Sequence, residues 1–195
     1  MNIVLLQGPL GPFFADLADH LAVHGVCVHR ICFNKGDWHY AKADHVVNYT
    51  ASADEWPQWF ADYITQHDIQ GVVCYGDSRY YHRMARSVCK EANLAFFACE
   101  EGYVRPGFVT FEQDGNNANS PFPEKFRTGR LIDKPAPEPA PITQIFQHQF
   151  WFAVMYYIVK DWKLFGFGRY RHHRTGNWAT EMMAWLRAGY RKHCV

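Results

Sequence analysis

Three observations predict an α/β fold built on a Rossmann-like parallel sheet. Short apolar runs alternate with amphipathic stretches through residues 1–116. The apolar runs are nearly continuous rather than alternating, as expected of strands buried on both faces. Chemically marked loops follow the carboxyl ends of four of these runs, where ligands bind in open parallel sheets.

Each element has its own signal. "NIVLLQ" (2–7) is a first buried strand, broken by "GPLGP". "FFADLADHLAVHG" carries Phe14, Leu17, Ala18 and Leu21 at helical spacing and stops at Gly25. "VCVHRICF" and "HVVNYT" read as the second and third strands. "ADEWPQWFADYITQHD" is an amphipathic helix with Pro57 in its first turn, where a missing N–H costs little. "GVVCYG" is a fourth strand, and the helix "RYYHRMARSVCKEAN" follows with Tyr81, Met84, Ala85 and Val88 on its inner face. "LAFFACE" is a fifth strand. After residue 113 the pattern dissolves into a Gly-, Asn- and Pro-rich stretch, so residues 117–142 read as a loop or linker. Residues 143–195 read as helical. They open on an all-round apolar helix at Phe150–Val159, which is either packed against another domain or lies at a membrane interface, and is too short to span a bilayer. "NWATEMMAWLRAGYRKHC" is a last helix.

The totals bound the function. The length, 195 residues, suits one domain or one and a half. At 48% hydrophobic and 20% charged, the composition is globular. A net charge of +1 makes no case for nucleic acid as a partner. Six cysteines include no C-x-x-C pair, and those in the strand runs read as buried free thiols. "MNIVLLQG" enters a strand directly, without a basic leader or long apolar run, so the expectation is a cytoplasmic chain without a signal peptide.

The strand-end motifs carry the chemistry. In "QGPLGP", Gln7 can hydrogen-bond a sugar, and the backbone around Gly8 and Gly11 can cradle an anion; taken alone, the stretch reads first as a plain strand–helix turn. "GDSRYYH" supplies Asp77, Arg79 and His82. Asp77 is a candidate helix cap. Arg79 and His82 sit at the positive end of the helix dipole, where cations are disfavoured unless an anion binds. "CEEGYVRPG" sets Glu100 and Glu101 side by side at a strand end, with Arg105 placed to hold a carboxylate. A solvated turn, with Gly102 supplying positive φ, competes with a site for acid–base or nucleophilic work. His172 and His173 make no metal site by spacing, because adjacent side chains point apart and no third ligand is evident.

"LLQGPLGPFFADLADHLAVHG…ICFNKGDW", "GDSRYYHRMA" and "EEGYVRPGFVTFEQDGNNANS" together resemble the bacterial capsule polysaccharide biosynthesis/export family. The resemblance extends over nearly the whole chain. It implies the N-terminal half of a GT-B-like glycosyltransferase that moves Kdo, a 2-keto sugar acid, from CMP-Kdo to a phosphatidylglycerol-type lipid-linked acceptor, without cofactor or metal. It further implies peripheral contact with the inner face of the cytoplasmic membrane and partnership with capsule assembly proteins. Glu101 matches the family's acidic–acidic–glycine motif and is expected to act at the anomeric carbon, with Glu100 in support. Gln7, Gly8, Gly11, Asp77, Arg79, His82 and Arg105 are expected to line the substrate. The family's second motif, His-Pro, contacts the CMP phosphate from the second domain. No His-Pro dipeptide occurs in these 195 residues, so the chain alone is expected to be inactive. Two further readings stand beside this one: a non-catalytic glycan-lipid-binding component of the assembly complex, and a nucleotide-sugar epimerase.

Overall fold

The computed structural model describes residues 1–102, 108–127 and 145–160, together with residues 167, 169, 170, 183, 184, 186, 187, 190 and 191. The elements are β1 (Asn2–Leu5), α1 (Phe13–Val23), β2 (Cys27–Cys32), α2 (Lys35–His39), β3 (His45–Asn48), α3 (Trp56–Gln66), β4 (Ile69–Tyr75), α4 (Tyr80–Glu91), β5 (Ala95–Glu101), β6 (Val109–Gln113), α5 (Phe122–Arg127) and α6 (Ile145–Lys160). The sheet order is β3-β2-β1-β4-β5-β6. The first five strands run parallel, and β6 closes the edge antiparallel to β5. The strand order reverses between β1 and β4. That reversal opens a crevice at their carboxyl ends, the binding position of doubly wound sheets.

Both faces of the sheet are covered, as the nearly continuous apolar strands require. On one face Val4, Leu6, Ile31, Phe33, Val72, Cys74, Phe96 and Ala98 meet the inner stripes of α3 and α4. Trp56 and Phe60 of α3 are fully buried, and the Trp56 indole N–H donates to the Tyr81 carbonyl at 2.9 Å. On the other face Ile3, Leu5, Val28, Val73 and Cys99 pack on Phe14 and Ala18 of α1. Each fully buried large apolar side chain contributes about 1.5–3 kcal/mol. The edge strand β3 is short and mostly exposed.

Several elements depart from the expected pattern. β6 forms within the stretch "GFVTFEQ", and Phe111 stacks on Phe97 with ring centroids 5.0 Å apart. The expected loop at 117–142 contains a 3-10 turn at Asn117–Asn119 and the helix α5. The apolar helix α6 is not buried all round. Ala153, Tyr156 and Tyr157 face the domain and pack beside α2, while Trp151, Met155 and Ile158 form an exposed stripe. Among the described residues, no helix is long and apolar enough to cross a membrane. Of the last predicted helix, residues 183, 184, 186, 187, 190 and 191 are described and helical.

Candidate functional site

The loop after β1 and the loop after β4 flank the crevice. Gly8 leaves no room for a side chain, since a Cβ there would lie 3.0 Å from the Phe14 ring. Gly11 adopts φ +107°, a left-handed conformation that only glycine takes readily, and a Cβ would lie 2.8 Å from Phe152 of α6. The aromatic helix therefore roofs the β1 loop. Across the crevice, Arg79 reaches the Gly8 carbonyl at 3.5 Å. It is half-buried and, among the described residues, has no carboxylate paired with it.

Beneath this loop lies a buried polar cluster that joins β1, β2, α2 and α6. Asn34 caps α2 by accepting from the Asp37 N–H at 3.0 Å. The Asp37 carboxylate accepts in turn from the Asn34 amide at 2.9 Å, the Phe33 N–H at 3.2 Å and the Tyr156 hydroxyl at 3.3 Å. The Gln7 amide nitrogen lies 2.9 and 3.0 Å from the two Asp37 oxygens, 3.2 Å from the Tyr156 hydroxyl and 3.1 Å from that of Tyr170. Gln7 is thus a buried strut, its amide engaged inside the protein. Burial, reinforced by the Asp37 charge, pushes the Tyr156 and Tyr170 hydroxyls well above the usual tyrosine range. They remain neutral donors or acceptors.

Arg30 supplies positive charge to the same region. Its guanidinium stands over the Phe14 ring, 5.0 Å from the centroid, and donates to the Leu6 carbonyl. Burial lowers its pKa, while Cys32, Asp37 and Tyr156 oppose that shift. Arginine stays protonated under such pressure, so a buried cation faces the underside of the glycine loop.

The β4–α4 loop is built as a brace. Gly76 takes φ +71° and donates its N–H to the Cys99 carbonyl at 2.8 Å. His82 is fully buried, with Nδ1 2.5 Å from the Gly76 carbonyl. A carbonyl only accepts, so Nδ1 carries the hydrogen. The expected cap by Asp77 is not formed: Arg79 occupies the N-cap position and, among the described residues, no side chain caps α4. Asp77 instead turns toward the segment after β6. It accepts from the Asn116 N–H at 3.1 Å, the Asn119 amide at 2.9 Å and Arg86 at 3.3 Å. Asn116 then donates to the Cys99 carbonyl at 3.1 Å, one residue before the acidic pair.

That pair closes the carboxyl end of β5. Glu100 and Glu101 pair in register with Thr110 and Val109 of β6. Successive strand residues point to opposite faces, so the adjacent carboxylates diverge. Glu100 is half-buried and lies against Gly76, where a Cβ would come 3.3 Å from its Oε2. Glu101 is exposed. Gly102 is required for space rather than for positive φ: its N–H donates to the Phe108 carbonyl at 2.8 Å, and a Cβ would meet that same oxygen at 2.7 Å. Arg105 lies outside the described residues.

A family model described as capsule polysaccharide biosynthesis protein matches residues 70–194, from β4 through the acidic pair and beyond. The chain belongs to this capsule polysaccharide biosynthesis family. It is 39% identical over 191 residues to the capsule polysaccharide modification protein LipB of Neisseria meningitidis serogroup A, covering 94% of this chain and 46% of LipB. It is 35% identical over 192 residues to the capsule polysaccharide export protein KpsS of Escherichia coli, covering 97% of this chain and 49% of KpsS. The chain thus spans about half the length of the curated relatives it matches. A solved structure from Listeria monocytogenes, titled as a UDP-N-acetylglucosamine 2-epimerase, aligns over 52% of this chain and 30% of its own at 13% identity and a TM-score of 0.37, too slight a likeness to bear on function.

In this member of the capsule family, the structure brings Gln7, Gly8, Gly11 and Arg79 to the β1/β4 crevice and sets Glu100 beside it. Asp77 and His82 brace the loops from within. Sequence reasoning missed Asn34, Asp37, Arg30, Tyr156 and Asn116. One local signal was available: Asn34 and Asp37 stand three apart after a strand, the spacing of a capped helix start. Nothing local announced Arg30, which looks like one polar residue in a strand.

Proposed function

We propose that this chain is the acceptor-side half of a GT-B-type glycosyltransferase that transfers Kdo from CMP-Kdo to a phosphatidylglycerol-type lipid-linked acceptor in capsule assembly. The observation that carries this reading is the acidic pair at the carboxyl end of β5, beside the β1/β4 crevice, in a chain of the capsule family. A 2-keto sugar reacts through an oxocarbenium-like transition state, which a nearby carboxylate stabilises, attacks, or assists by deprotonating the acceptor. Glu101, exposed at the strand end, is assigned that work, with Glu100 in support. Arg79 and the N–H groups of the glycine loop suit an anion on donor or acceptor. The exposed stripe Trp151, Met155 and Ile158 supports peripheral contact with the membrane that carries the acceptor.

The deciding assay is Kdo transfer to a phosphatidylglycerol-type acceptor, run with this chain alone and with the C-terminal half of a LipB-type relative added. Transfer only in the combined sample is the expected result. Transfer by the chain alone would place the donor site within these residues and overturn the two-domain reading. Donor consumption without acceptor would indicate an epimerase-type reaction instead. The exposed apolar stripe of α6 favours one alternative, a glycan-lipid-binding component without turnover. Acceptor binding with no transfer in either sample would establish it.

A further inference from the structure

A second cluster lies at the opposite edge of the sheet, near the amino ends of β2 and β3. Cys27 and His29 are two apart on β2, so their side chains share a face. His45, the first residue of β3, is the in-register partner of His29. One thiol and two imidazoles are thereby set side by side, with their ligand atoms all within 4.8 Å of one another. The His29 Nε2 lies 3.9 Å from the Cys27 sulfur. The other ring nitrogen, Nδ1, lies 2.7 Å from the hydroxyl of the buried Tyr63 on α3. Such a bond on the far nitrogen is what orients a metal-ligating histidine and fixes its tautomer. His29 is 3% exposed and His45 is exposed, so the cluster is anchored inside and open at its rim.

We propose that Cys27, His29 and His45 form a zinc site that fastens the edge strand β3 to β2. The donor set, one thiolate and two neutral imidazoles, suits Zn²⁺ and leaves a fourth, solvent-facing position for water. Zinc holds such atoms roughly 3.3–3.6 Å apart, so the cluster must close by about 1 Å. A small turn of the exposed His45 ring supplies that. Binding deprotonates the Cys27 thiol, and the proton goes to solvent. The His67 ring packs 4.3 Å from that of Tyr63 and lies outside the ligand cluster. β3 has only four residues and, among the described residues, one strand neighbour, so a metal clip there adds to its hold on the sheet. The site lies at the amino ends of the strands, away from the β1/β4 crevice, and is independent of the reaction proposed above.

The test is titration of the reduced 195-residue chain with Zn²⁺ against a chromophoric chelator, and with Co²⁺ read by absorption. The expected result is one equivalent bound with a thiolate-to-cobalt band, and a melting temperature raised by Zn²⁺. His45→Ala removes only an exposed ring, so the fold survives; it should weaken Zn²⁺ binding at least about tenfold. Cys27→Ser should abolish the thiolate band. Absence of Zn²⁺ binding at micromolar metal overturns the site. So does binding that both variants leave unchanged.

Discussion

Glu101 and Asp37 are both carboxylates near strand ends, yet their surroundings assign them different work. Glu101 is exposed at the strand end, within reach of solvent and of a bound substrate. Glu101→Gln keeps size and polarity but removes the negative charge. In the two-half transfer assay it should lower the rate by roughly 10²–10⁴-fold while leaving acceptor binding intact. Undiminished turnover would remove Glu101 from the chemistry. Glu100→Gln should have the smaller effect, because Glu100 lies against Gly76. Asp37 is 4% exposed and accepts from four neighbours, with the buried Arg30 close enough to feel its charge. Asp37→Ala leaves those donors and that cation uncompensated. The expected loss is about 3–5 kcal/mol, seen as a lower urea midpoint at unchanged m-value. A midpoint within error of wild type would show that water replaces the carboxylate without penalty.

The helix α6 is held by shape at two glycines. A Cβ on Gly36 of α2 would lie 2.6 Å from the Tyr156 ring, and one on Gly11 would strike Phe152. The Tyr40 hydroxyl adds a bond to the Phe152 carbonyl at 3.3 Å. Gly36→Val should therefore push α6 outward at a cost of about 1–3 kcal/mol. Backbone amides at 145–160 should exchange faster by mass spectrometry, while β1 and β4 keep their protection. Unchanged protection of α6 would mean that Tyr156 does not anchor it. The same docking accounts for the half-exposed face of a helix whose sequence is apolar all round. Small residues on α2 and in the β1 loop admit one side, and the other side presents Trp151, Met155 and Ile158.

The whole molecule buries ionisable groups in both layers, and that sets its alkaline limit. Burial pushes the Cys32, Cys89 and Cys99 thiols from an ordinary value of 9.0 up to about 12. These are groups whose folded pKa is raised. Their stabilising contribution is complete below pH 9 and is lost as the pH climbs toward 12, because the unfolded chain ionises while the folded one does not. Each such thiol contributes a slope of up to about 1.4 kcal/mol per pH unit in that window. The melting temperature should hold steady from pH 7 to 8 and fall steeply above 9. Replacing Cys89 by Ala should make that fall shallower. A flat profile to pH 11 would mean that water reaches the thiols in the folded protein.

Much of this architecture was legible in the residue order, because strands buried on both faces announce themselves as short continuous apolar runs and helices through a period of 3.6 residues. The five parallel strands, the three long helices among them, and the placing of Gln7, Arg79 and Glu100 at strand ends follow from such local patterns. β6 was obscured by the glycine, asparagine and proline around it, and it forms only because β5 offers it an edge. The polar cluster beneath the glycine loop joins Gln7, Asp37 and Tyr156, which are 30 and 149 positions apart from Gln7 in the chain. The Cys27–His29–His45 cluster exists only because β2 and β3 pair in that register. By itself the sequence determined the alternation of elements and the chemistry of each strand end, since those depend on neighbours a few residues away. The tertiary structure alone decided which distant polar groups meet, since that depends on strand order, register and helix docking, which no local period encodes.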